Sequence, residues 1–164
     1  MAMEMSAEGL DGIGEMLGAL EEQAEGVAAR GLYEGAGIMA SAIVQAAQGI
    51  QTEKFQGKRD SRKPSPEEKE IVLGAAVGIA KFEKNGSEVN TSVGYQNAGY
   101  AELAGKMVAV PKVVNAINSG TSFMKKQPFV RKARTKATAK ATAAIRQSIE
   151  AAFDEIGRKY QGST

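Results

Sequence analysis

The chain has no cysteine, no histidine and no tryptophan. Without cysteine there are no disulfides and no thiolate zinc sites. Without histidine there is no histidine-dependent triad or metalloprotease motif, and no side chain that titrates ordinarily near neutral pH. Aromatic residues make up only 5% of the chain, so a core has to be built from Ala, Val, Ile, Leu and Met. Nineteen glycines allow helices to approach closely, but small residues bury little area each. Modest stability of the single chain and help from association are therefore expected. Long apolar runs are also missing: the longest, Ile71 to Ala80, is too short to span a bilayer. The first residues are acidic where a secretory signal is basic, and no apolar h-region follows, so a reducing cytoplasm is the expected site of synthesis.

What is present is charge, unevenly placed. The net charge is only +2. From Met1 to Glu34 there are eight acids (Glu4, Glu8, Asp11, Glu15, Glu21, Glu22, Glu25, Glu34) against Arg30 alone. From Lys125 to Arg146 there are eight bases (Lys125, Lys126, Arg131, Lys132, Arg134, Lys136, Lys140, Arg146) and no acid. Opposite charge at two ends lets a molecule attract copies of itself or oriented neighbours.

At 164 residues the chain is read as a single domain, 1–164, with a charged linker at about 53–66. Asp11 is placed to cap a first helix, with Ile13, Leu17, Leu20 and Ala24 on one face. The helical pattern continues to about Gly49. Gly26, Gly31, Gly35 and Gly37 interrupt it, which fits either two helices bent near Gly26 or one helix packed closely at its glycines. The Gly14/Gly18 and Gly31/Gly35 spacings suit a close contact between soluble helices. Ser65-Pro66-Glu67-Glu68 is a capping box opening a short helix weakened by Gly74 and Gly78. Lys81 to Val89 reads as a hairpin around Asn85-Gly86, with its second strand running to about Tyr95. Gln96 to Lys106 reads as a loop, and Met107 to Asn118 as a further strand with Pro111 at an edge or bulge. In the last helix Ala141, Ile145, Ile149, Phe153, Ile156 and Tyr160 form an apolar stripe. Its first half alternates Ala and Thr with Lys and Arg and offers little to bury. Positive charge there also opposes the helix dipole, so compensation from outside the single chain is expected. The fold class is α+β, a small antiparallel β-sheet packed against long N-terminal and C-terminal helices.

The stretch from Ser119 to Ala133 joins these parts. Gly120 suits a sharp reversal, Pro128 suits the first turn of a helix, and Phe129 with Val130 places apolar bulk at the helix entry. Gln127, Pro128 and Phe129 thus form a structural junction. "Gly-Thr-Ser…Gln-Pro-Phe-Val-Arg-Lys-Ala" ahead of a long C-terminal helix resembles the signature of the tailed-bacteriophage head–tail joining and tail-completion proteins, typified by the gene-ten product of a lambda-like coliphage. "Gly-Leu-Asp-Gly-Ile" leading the first helix and "Ser-Val-Gly-Tyr" ending the hairpin extend the resemblance over nearly the whole chain. The charged insert Glu53 to Lys69 departs from the short Pro…Thr-Gly-x-Leu segment of many members.

The resemblance implies a structural virion protein, assembled in the host cytoplasm, that forms a ring at the head-proximal end of a tail. A hexamer would match a sixfold tail, and a twelvefold ring is the alternative. Expected partners are further copies of the chain, the tail tube protein and the head-side connector, with DNA only passing through the lumen and no membrane. The hairpin tip Asn85 and Gly86, the loop residues Ser119, Gly120, Thr121, Ser122, Phe123, Lys125 and Lys126, and Arg131 and Arg134 of the basic half-helix are the candidate interface. The linker is expected to order only in the assembly. No catalytic residue, cofactor or metal ligand is nominated. Gly9, Gly12, Gly14 and Gly18 lack the preceding strand and the Gly-Lys-Ser/Thr of a phosphate loop. The basic half-helix leaves a small nucleic-acid-binding protein as the alternative, although it has almost no aromatics to stack on bases. A scaffold absent from the finished particle is a third reading.

Overall fold

A computed structural model describes residues 8–54, 62–86 and 88–161, with side chains described between 17 and 159. Helix α1, Glu8–Gln48, is continuous through all its glycines and pairs with α4, Phe129–Gln161, as an antiparallel helical hairpin. A Cβ on Gly35 would lie 2.5 Å from the Ile145 side chain, and one on Gly31 would lie 3.0 Å from Ile149. Of the two arrangements open to the sequence, the close-packed single helix is the one adopted. Gly26, where a bend was the alternative, has open space around it. Gly18 likewise meets nothing, and Asp11 lies within α1 rather than ahead of it, its side chain outside the described set.

The α4 seam differs from expectation. Phe129, Ala133, Ala137 and Ala141 are all buried, at intervals of four, so the basic half of α4 does pack, through alanines. Farther on Ala152 and Ile156 are buried, while Phe153 is exposed and Tyr160 lies outside the described side chains.

Helix α2, Pro66–Gly74, has the capping box that the sequence announces: Glu68 N–H donates to Ser65 Oγ at 3.1 Å, and Ser65 N–H donates to Glu68 Oε2 at 2.7 Å. The strands form three two-stranded antiparallel ribbons instead of one sheet. Strands β1, Gly78–Ile79, and β4, Val93–Gly94, enclose β2, Glu83–Asn85, and β3, Glu88–Asn90, in one irregular hairpin. Asn85 pairs with Glu88 and so belongs to the ladder rather than to the turn, and Gly86, which follows it, takes a positive φ. Position 87 lies outside the described residues. This hairpin crosses α1: Phe82 meets Tyr33 edge to face at 4.4 Å, and Lys84 Nζ lies 2.6 Å from Glu25.

Two expectations fail between residues 96 and 118. The expected loop contains β5, Tyr100–Leu103, which pairs with β6, Lys106–Ala109, across Ala104 and Gly105, both at positive φ. The expected strand from Met107 stops at Ala109, and Val110–Ser119 is helix α3. Pro111 sits in its first turn, where the missing N–H costs nothing, rather than at a strand edge. Val110, Val113, Val114 and Ile117 are buried, three or four apart, so packing overrides the strand preference of branched side chains. They meet Ile43, Ala47 and Ile50 of α1, Val72 of α2, Tyr95 and Phe129 in one core. The α+β architecture stands, with the long terminal helices packed together. Among the described residues no helix is long and apolar enough to cross a membrane.

Candidate assembly surface

The segment from α3 to α4 is tied at each step. Gly120, at φ 79°, caps α3, its N–H donating to the Ala116 carbonyl at 2.9 Å. A Cβ there would lie 3.0 Å from the Met124 carbonyl oxygen, so glycine is required twice over. Thr121 N–H donates to Met124 O and Thr121 Oγ1 accepts from Met124 N–H, each at 3.0 Å, which closes a small turn. Ser119, Thr121, Ser122 and Phe123 are exposed on it, as are Lys125 and Lys126 beyond it, while Met124 is buried.

Gln127 clasps the chain leaving α1. Its Oε1 accepts from Gln51 N–H at 2.9 Å and its Nε2 donates to Gln51 O at 2.7 Å, as a neighbouring strand would. Pro128 follows, and Phe129 is buried edge-on against Tyr95 at 6.4 Å. Asn118 Oδ1 accepts from Val130 N–H at 3.2 Å and supplies from α3 the cap that α4 lacks locally. Neither Asn118 nor Gln51 carries a signal in the sequence, because each bond depends on tertiary placement.

The far side of the insert docks on the same segment. Arg62 exchanges backbone hydrogen bonds with Phe123 and Lys125, and its guanidinium is bidentate to Glu68 at 2.7 and 2.8 Å. Burial pushes the Glu68 carboxyl up, but the Arg62 guanidinium and the Ser65 backbone and hydroxyl outweigh it and hold the group below its ordinary value. Glu68 in turn holds Arg62 above its ordinary value. Pro64 is fully buried. The flank 62–65 is therefore fixed within the single chain, against the expectation of a linker ordered only by assembly. Residues 55–61, its middle, lie outside the described residues.

The nominated interface residues do not converge. The hairpin tip at Asn85 and Gly86 lies near Glu25, whereas the 119–126 loop lies near Gln51. Along α1 that is a separation of about 35–40 Å. Beside the loop, α1 and α4 leave an open groove of about 930 Å³. Its floor is small and apolar, with Ala42, Ala46, Ala133 and Ala137, and one wall carries Lys132, Lys136 and Lys140 in a row. Glu34 stands at one end. Arg131 and Arg134 are exposed but do not line this groove. The i, i+4 spacing of lysines beside i, i+4 alanines was the available signal for the row.

All eight bases from Lys125 to Arg146 are exposed, and among the described residues none has an ion-pair partner. No acid stands in the first turn of α4 to balance the dipole. The chain matches no family model, and it has no match among curated proteins or solved structures.

Proposed function

We propose that the chain is a structural assembly subunit, working through charged and apolar contacts with its own copies and with oriented neighbours. The observation that carries this is the row Lys132, Lys136 and Lys140 beside an apolar groove, exposed and without an ion-pair partner among the described residues. A surface of that kind gains from an acidic partner more than from solvent. The motif resemblance supports the finer reading: a virion protein forming a ring, sixfold before twelvefold, at the head-proximal end of a phage or phage-tail-like tail. There it stops the tail tube and joins it to the head-side connector. The exposed loop 119–126 and the hairpin tip, held by different parts of α1, offer two separate surfaces, one for each neighbour in such a stack.

The cations from Arg131 to Arg146 favour a second reading, a nucleic-acid-binding protein, since they line about 22 Å of helix. The floor beside them offers alanine in place of stacking aromatics. The test is composition and labelling of purified particles. The assembly reading expects the protein in stoichiometric amount at the junction of tail and head. Its absence from finished particles contradicts the reading. DNA affinity that collapses between low and moderate salt would support the alternative.

A further inference from the structure

The contacts of Gly31 with Ile149 and of Gly35 with Ile145 fix the register of the helical hairpin. By that register Ala19 stands level with Gln161, the last described residue of α4. The first turns of α1 therefore run on with no described α4 residue opposite them. Leu17, on the stripe that faces α4 farther along, is 57% exposed. The sequence of this arm is apolar and acidic: Leu10, Ile13, Leu17 and Leu20 recur at helical spacing. Glu8, Asp11, Glu15, Glu21, Glu22 and Glu25 accompany them with no base before Arg30. Glu25 is engaged by Lys84.

The other end of the same hairpin has the complementary character. The groove runs beside α1 from Glu34 to its end, about 21 Å of helix, so the overhang from Glu8 to Gly18, about 15 Å long, fits within it. Its apolar floor is shallow because alanine and glycine line it, leaving room for larger aliphatic side chains. Its wall repeats a lysine every turn at 132, 136 and 140, each exposed and, among the described residues, without an ion-pair partner.

We infer that the acidic arm of α1 from one copy docks in the lysine-walled groove between α1 and α4 of the next. The arm's leucine and isoleucine stripe lies on the alanine floor, and its carboxylates face the lysine row. The contact joins different surfaces of two copies, so it is heterologous and propagates head to tail, as a ring requires. It deepens the assembly reading and rests on it. It also gives the long overhang of α1 a partner.

The absence of cysteine makes the test direct. One chain carries Leu17→Cys and another Ala42→Cys or Ala46→Cys. Within one chain Leu17 is about 38 Å from Ala42 and about 44 Å from Ala46 along α1, far beyond disulfide reach. Mixed at low salt under mild oxidation, the two chains are expected to form a disulfide-linked dimer. Lys112→Cys, exposed on α3, is expected to give none with Leu17→Cys. Lys132→Glu, Lys136→Glu and Lys140→Glu together should slow cross-linking at least tenfold while circular dichroism remains native. Asp11→Lys, Glu15→Lys and Glu21→Lys in the arm chain should restore it. Cross-linking that is absent, or indifferent to the reversal, overturns the inference. If rings still occur in particles, the assembly reading survives that result. Arm–groove cross-links from a protein missing from particles would instead overturn the assembly reading and leave the contact standing.

Discussion

Gly35 and Glu68 show how much single positions carry. At Gly35 the α1–α4 approach leaves no room for a side chain, and the Ala141 carbonyl stands 3.3 Å from where a Cβ would be. Gly35→Leu is expected to lower stability by about 1–3 kcal/mol through overpacking. Gly26→Ala, in open space on the same helix, should raise it by up to about 1 kcal/mol. Paired urea denaturation of the two variants checks the contrast. Phe129→Ala should cost about 3–5 kcal/mol by the same measurement, because the ring is buried against Tyr95 and the core.

Glu68 gives a pH dependence with a definite sign. Its folded value lies below the ordinary glutamate value of 4.5. Its contribution is therefore complete above that value and is lost as the pH falls through the folded one. Amide exchange at Lys125, whose N–H donates to Arg62 O, should accelerate in acid beyond the intrinsic trend. Glu68→Gln should abolish that acid-dependent step.

Local signals were readable at the scale of elements. Ser65, Pro66 and Glu68 predicted α2 because a capping box satisfies its own backbone within four residues. Gly31 and Gly35 fit close packing, but the same spacing at Gly14 and Gly18 carried the same expectation and Gly18 meets no neighbour, so the spacing alone did not decide it. Helix α3 was not readable. Val108 to Ile117 is rich in branched residues and reads as strand until burial against α1 decides the matter, and Pro111 fits either reading. The alanine seam of α4 was missed for a related reason: alanine is a weak signal of burial, and only the opposing groove of glycines and alanines makes Ala133 and Ala137 a contact. The lysine wall follows from that seam. Lys132 closes the first turn of α4, where a positive charge is unfavourable, so Lys132→Glu should raise the helicity of a peptide spanning 129–146, measured by circular dichroism at low salt.

At the scale of the whole molecule, a fixed frame carries charges that it leaves unanswered. The helical hairpin holds an acidic arm at one end and a basic groove at the other, and the junction around Gln127 and the Arg62–Glu68 pair hold the 119–126 loop in place between them. Charge polarity was plain in the sequence. The groove was not, because it depends on the register of two helices eighty residues apart. The proposed role is that of a structural subunit that completes a particle. Electron microscopy of particles from a producing strain lacking this protein tests it most directly. Overlong, ragged tail tubes, or finished tails lying free beside filled heads, are the predicted result. Intact, infectious particles would contradict it.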